Sequence, residues 1–512
     1  FASYYGDHMV LQKKPSGAVV WGHGELGAVV TVTLSGAGGL IIMEKTAQVK
    51  GPSGTWTTVL DPVDQGGPYA LTAEQGLENV TLQDIYFGDV WLCSGQSNMA
   101  MTVLQVANAS QELAMASRYP YVRIFAAAPA RSDVELEDLE RIDLPWSIPT
   151  AAENLGHGNF TYFSAVCWLL GRSLYEALGS PIGLVEVAWG GTPIEAWSSR
   201  RVLQACGLPE DTGRGEAPQS SLWHSACFNL KPALCFAAPL SLALSSSTSP
   251  HQHLSGPQTP SVLWNAMIHP LLNMTLRGVA WYQGEANAFL HTDQYNCTFP
   301  TLIADWRRAF HAGSAGQTEP LLPFGFVQLS TYRHRSADDS FARLRWHQTA
   351  DLGVVPNARM PSTFMAVAMD LGDEHSPYGS IHPRDKQNVA HRLLLGARAV
   401  AYGDKDLVFQ GPYPTRAILE VTRRLLNVTY SQELICRQRD AQAFEVCCSS
   451  QTSPCQWLPA PVVAVGSCTV TLALSGCRTL VLGLRYAWAE WPCEYQACPL
   501  YNPQGLPAPP FL

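Results

Sequence analysis

A chain of 512 residues with 46% hydrophobic and 15% charged side chains is globular and long enough for two or three domains, and this balance excludes intrinsic disorder. Its formal charge of -9 runs against a nucleic-acid partner, whose phosphates need a basic surplus. No uninterrupted apolar run reaches bilayer-spanning length, so no membrane partner is expected.

Residues 1–84 read as short β runs separated by turn residues. "SGAVVWGHGELGAVVTVTL", "GTWTTVL" and "GPYALTA" have the spacing of a small β-sandwich. From 85 to 404 strands and helices alternate. "DIYFGDVWLC" reads as a strand, followed by a helix-compatible stretch from about Met99. "YVRIFAAAP" reads as a strand, "YFSAVCWLLGRSLYEAL" as a helix, and "IGLVEVAWGG" and "LRGVAWYQG" as strands. "FPTLIADWRRAF" is a predicted helix, "LPFGFVQLS" and "TFMAVAMDLGD" are predicted strands, and "PRDKQNVAHRLLLGARAVAYG" is a closing helix with Pro383 at its first position. Such alternation implies an α/β domain, a mostly parallel sheet with helices on both faces.

Between about 200 and 260 the alternation fails. "SLALSSSTSPHQHLSGPQTPS" reads as an exposed insertion, with His251 and His253 solvated rather than metal-bound. Over 405–512 short β runs return, carrying eight of the 14 cysteines: Cys436, Cys447, Cys448, Cys455, Cys468, Cys477, Cys493 and Cys498. That density predicts a disulfide-stapled β module; the C-x2-C pairs that a zinc site would want are missing. Six glycosylation sequons, at Asn79, Asn108, Asn159, Asn273, Asn296 and Asn427, accompany the cysteines and point to a lysosomal or secreted protein. A chain starting at Phe1 without a methionine is expected where a signal peptide has been removed or a sequence trimmed.

The stretch "DVWLCSGQSNMAM" places Ser97 at a strand-to-helix turn, where a serine either caps the helix or projects a nucleophile from the C-terminal edge of a sheet. It is not the G-x-S-x-G elbow, because Met99 stands at the second glycine position. A serine nucleophile needs a base. His382, in "DLGDEHSPYGSIHPRDKQ", lies between a predicted strand ending at Asp370 and the last helix, at the same sheet edge; His375 is its rival there, and His391 falls within the helix. Oxyanion donors are offered by Gly190 and Gly191 in "EVAWGGTPIEAW", and by Gln283 or Asn287 in "AWYQGEAN", each after a predicted strand.

Taken in order, "SGQSNM", "WGGTPIEAW", "WYQGEAN" and "DLGD…SIHPRDK" resemble the SGNH-type hydrolases, in their sialate O-acetylesterase branch. The likeness covers roughly Asp84 to Gly403 and continues into both flanking β regions. It implies a flavodoxin-like catalytic domain, with Ser97 as nucleophile, His382 as general base, and Gly191 (or Gly190), Gln283 and the Ser97 amide around the oxyanion. It also implies O-acetylated sialic acids, including 9-O-acetyl forms, as substrate, and neither metal nor organic cofactor. The sequence departs from the wider pattern at one point: Gly379 stands where an aspartate three residues before the histidine is expected. The His382 ring is then oriented by Asp370, by Asp373 or by a backbone carbonyl. A substrate carboxylate suits an arginine, for which Arg384 is nearest in sequence to the histidine and Arg333, Arg335, Arg343 and Arg345 lie upstream. Trp189, Trp197, Trp281 and Tyr282 are candidate sugar platforms. An esterase acting on acetylated xylan would share every catalytic motif, whereas a carbohydrate-binding protein has no use for a serine, a histidine and amide donors at one edge.

Overall fold

The structure, a computed structural model, describes residues 1–210, 256–438, 443–449 and 455–512. His251, His253 and most of the insertion expected over 200–260 lie outside the described residues.

The central sheet consists of β1 (Glu78–Gly95), β2 (Val122–Ala127), β3 (Ile142–Ser147), β4 (Ile182–Ala188), β5 (Gly278–Tyr282), β6 (Phe324–Gln328) and β7 (Thr363–Val367). Its spatial order is β7-β6-β5-β1-β4-β2-β3, all neighbours parallel except β2 and β3. Helices α1 (Ser97–Ala100), α2 (Ala165–Leu178), α3 (Tyr295–Gly313) and α4 (Lys386–Ala401) accompany it. Because both faces are covered, β4 "IGLVEVA" and β5 "GVAWY" are buried at every residue, which is why they read as continuous apolar runs. Within this mostly parallel α/β sheet the second parallel strand, β2, lies outside the third, β4. With β2 and its antiparallel neighbour β3 as an edge extension beyond β4, the strands β1, β4, β5, β6 and β7 keep the 2-1-3-4-5 order of a flavodoxin. The consequence for function is local: the C-terminal end of β1 is flanked by the ends of β4 and β5.

β1 is 18 residues long. Its first half pairs with Gly66–Gln75 in the N-terminal β region and its second half with β4 and β5, so one strand runs across position 84. The apolar core is correspondingly continuous, from Val20 and Trp56 through Trp91 to Trp281. The C-terminal sheets enclose their own core around Phe444, Val446, Tyr486 and Tyr501, joined by Val367 and Met369 from the end of β7. Disulfides pair Cys93–Cys167, Cys206–Cys297, Cys447–Cys455, Cys448–Cys477 and Cys493–Cys498. The first ties β1 to α2 just before the Ser97 turn. No helix among the described residues is long and apolar enough to cross a membrane.

Two local expectations are corrected. The helix foreseen from Met99 is the single turn α1, after which the chain passes into a short 3-10 turn at Val103–Gln105. Pro383 does not begin α4: Asp385 is the N-cap, its side chain accepting from the Asn388 amide, and the helix starts at Lys386.

β4 also carries a buried acid. Glu186 accepts a hydrogen bond from the Ser164 amide, and burial raises its pKa to about 8 against that bond. Between about 4.5, the ordinary value, and about 8, the unfolded chain releases this proton while the folded chain keeps it. Stability therefore falls as pH rises through that window, by about 1.4 kcal/mol per unit for a single group. Glu186→Gln is expected to match the wild-type Tm near pH 4.5 and to exceed it by several degrees at pH ~8, the top of the window in which the carboxyl releases its proton. Thermal scans at both pH values test this; a variant less stable than wild type at both would show the carboxyl to be ionised in the fold.

Candidate active site

β1 ends at Gly95, whose φ is 146° and where a Cβ would sit 2.1 Å from the Tyr282 carbonyl oxygen, so only glycine serves. Gln96 occupies the N-cap of α1 with no side-chain capping bond, leaving Ser97 as the first helical residue rather than the cap. Ser97 is half-buried, and its Oγ lies 2.8 Å from His382 Nε2. The other ring nitrogen, Nδ1, donates to the Tyr378 carbonyl at 2.7 Å. That bond places the proton on Nδ1 and leaves Nε2 to accept from the serine hydroxyl. Burial lowers the His382 pKa, against the Tyr378 carbonyl, and the nearby Lys386 lowers it further. His375 and His391 are both exposed.

Neither predicted carboxylate orients the ring. Asp373 accepts from Arg384 Nε at 2.6 Å and Nη2 at 3.0 Å. Burial alone would raise its carboxyl, but Arg384 outweighs that and holds it below the usual range. Asp370 forms a fully buried pair with Arg392 and accepts from Tyr501 of the C-terminal module at 3.0 Å. Both are engaged by guanidinium groups, the stronger partners, and the histidine is left to a backbone carbonyl.

Gly190, rather than Gly191, is the glycine against the serine. A Cβ on Gly190 would lie 3.3 Å from Ser97 Cβ, whereas one on Gly191 would meet nothing within 4 Å. Among the described residues, no protein acceptor takes the amide proton of Ser97 or of Gly190. Gln283 is fully buried and committed: its Nε2 donates to Thr192 O and to Asn287 Oδ1, and its Oε1 accepts from Tyr295 of α3. With both N–H bonds spent, it braces the loop after β5 rather than facing an oxyanion. Asn287 is likewise saturated, donating to Glu195 and Leu290 O and accepting from the Ile194 amide. Trp189 is half-buried beside Gly190, while Trp197, Trp281 and Tyr282 are core side chains. Arg345 is spent on backbone carbonyls, Arg333 on Glu490 and Arg343 on Asp293.

The motifs also contained residues whose importance the sequence reading missed. Asn98, Glu285 and Lys386 form a buried hydrogen-bonded set beside Ser97, and the Phe160 ring lies 4.8 Å from that of His382. Asn98 and Glu285 sit inside quoted motifs, so adjacency to Ser97 and Gln283 was the available signal; Phe160 gave none. Of the sequons, Asn79, Asn108 and Asn159 are exposed and Asn273 is half-buried. The Nδ2 atoms of Asn296 and Asn427 are instead bonded to Asp351 and Glu420, at 2.5 and 2.7 Å.

A hydroxyl bonded to an oriented imidazole, beside two unengaged backbone amides, is an arrangement suited to acyl transfer. Residues 415–512 match the sialate O-acetylesterase C-terminal domain. Over 518 aligned residues the chain is 56% identical to a sialate O-acetylesterase of Rattus norvegicus, with 100% of this chain and 93% of that one covered. It is 54% identical to one of Homo sapiens, with 100% and 92% covered. A solved structure of a carbohydrate acetylesterase from Xanthomonas citri is similar throughout, with a TM-score of 0.76 at 27% identity, covering 99% of this chain and 98% of that one. The chain belongs to the sialate O-acetylesterase family of carboxylic-ester hydrolases.

Proposed function

We propose that this protein removes O-acetyl groups from sialic acids through an acyl-enzyme formed on Ser97. The observation that carries the reading is the 2.8 Å bond between Ser97 Oγ and His382 Nε2, with the ring held by a carbonyl on its far side. Ser97 attacks the acetyl carbonyl carbon as His382 takes the hydroxyl proton. The amides of Ser97 and Gly190 receive the oxyanion. Collapse expels the sugar alcohol, which takes the proton back from His382, and water then releases acetate by the same steps reversed.

The donor set asks for no metal, since base, nucleophile and oxyanion donors are all protein groups. Arg384 keeps one guanidinium nitrogen beyond its two bonds to Asp373, which suits it to a sialic acid carboxylate, and Trp189 offers an aromatic edge beside Gly190. The disulfides and the exposed sequons at Asn79, Asn108 and Asn159 support the secretory route, to the lysosome or the cell exterior.

Acetate release from 9-O-acetylated sialic acid, run beside an acetylated xylan oligomer, tests the substrate. Turnover of the sialic acid at least tenfold faster in kcat/KM is the expected result. The reverse preference would assign the same chemistry to neutral sugars.

A further inference from the structure

His382 sits on an irregular loop between β7 and α4, yet the backbone around it is held at three consecutive carbonyls. Ile381 O accepts from Asn98 Nδ2 at 2.8 Å, His382 O from Ser376 Oγ at 2.7 Å, and Pro383 O from Lys386 Nζ at 2.7 Å. The first and third of these donors are joined. Lys386 Nζ also donates to Asn98 Oδ1 at 2.7 Å, and Asn98 Nδ2 donates to Glu285 Oε1 at 2.5 Å. Lys386 is 0% exposed and Glu285 4%, and Glu285 Oε2 has no partner among the described residues. Holding a turn does not require a buried ammonium and a buried carboxyl; a hydroxyl suffices, as Ser376 demonstrates, and burying two ionisable groups is costly. The network also reaches both halves of the reaction, because Asn98 directly follows the nucleophile while Ile381 and Pro383 directly flank the base.

We propose that Lys386, Asn98 and Glu285 work as one positioning unit that sets the separation of Ser97 from His382. The proposal rests on the reading of Ser97 and His382 as nucleophile and base. The groups facing Lys386 are Glu285 from the loop after β5, Asp373 and His382 from the loop before α4, Asp385 at the helix N-cap, and the Tyr282 ring at 5.2 Å. Burial brings Lys386 down to about 7 while the three carboxylates draw it up. In the acid range it therefore carries its proton, and a second positive charge on His382 is disfavoured.

The test compares Lys386→Met, Asn98→Ala and the double variant in kcat, KM and the pH profile of kcat/KM. Each single variant is expected to lose about tenfold to a hundredfold in kcat, the scale of a small misplacement of reacting groups, with KM unchanged. The double variant is expected to be no slower than the worse single one, because one unit has already been broken. In Lys386→Met alone the acid limb moves to higher pH, which a merely structural loss would not produce. Unchanged kcat in both variants, losses that multiply, or an unmoved acid limb would each overturn the proposal. If Lys386→Met does not fold, Asn98→Ala decides by its kcat. Ser97→Ala is run alongside: residual activity there would defeat the serine–histidine reading itself, whereas an inactive Ser97→Ala beside a wild-type-like Lys386→Met defeats only the positioning unit.

Discussion

Ser97→Ala is expected to lower kcat for acetate release by at least about ten-thousand-fold, with Tm unchanged. Removing a serine nucleophile from a comparable unit costs about a million-fold, since the remaining amides bind the ester but cannot form the acyl-enzyme. The substitution is mild for the fold. It deletes one half-buried hydroxyl whose partner, His382 Nε2, faces the reaction site, and it leaves the Cβ and the α1 turn in place. Single-turnover acetate release, with a thermal scan on the same sample, gives the answer. Activity within tenfold of wild type would return Ser97 to a conformational role and require another nucleophile.

His382→Ala is expected to fall by a similar factor, while Asp373→Asn loses less than about tenfold. The contrast comes from the hydrogen bonds. In a serine–histidine–aspartate triad, replacing the acid by its amide costs about ten-thousand-fold because the ring adopts the wrong tautomer. Here the Tyr378 carbonyl accepts from Nδ1, and a carbonyl is indifferent to any carboxylate substitution. Asp373→Asn should weaken the hold on Arg384 and act on KM. Equal losses in the two variants would refute the dyad. The pH dependence follows from the same geometry. The base acts only when neutral, and burial together with Lys386 lowers its pKa, so kcat/KM should hold until pH is well below the ordinary histidine value of about 6.5 before falling. An acid limb above that value would mean that the ring is solvated, or that another group limits the rate.

What was legible in the sequence was what neighbours along the chain decide. The apolar runs of β1, β4 and β5 are buried on both faces whatever lies beside them, so they announce themselves. The Ser97 turn depends on Gly95, two residues away, and the His382 loop on its position before α4. The N-cap of α4 was misplaced because Pro383 and Asp385 both carry helix-start signals, and only the capping bond to Asn388 separates them.

The rest was settled in three dimensions, because hydrogen-bonding capacity is finite and is claimed by whichever partner the fold brings close. Asp370 could not be assigned without knowing that Arg392 and Tyr501 converge on it, the latter 131 residues away. Gln283 had the right chemistry for an oxyanion donor, but Thr192, Asn287 and Tyr295 consume its amide. Gly190 is preferred over Gly191 only by its approach to Ser97, which follows from β4 lying beside β1. The sequence by itself determined the α/β class and singled out Ser97 and His382, which the fold brings within 2.8 Å of each other, since local pattern and a few motifs carry them. The partner of the imidazole, the approach of Gly190 to Ser97 and the buried lysine beside them were decided by the tertiary structure, which alone brings distant donors and acceptors within about three ångströms of one another.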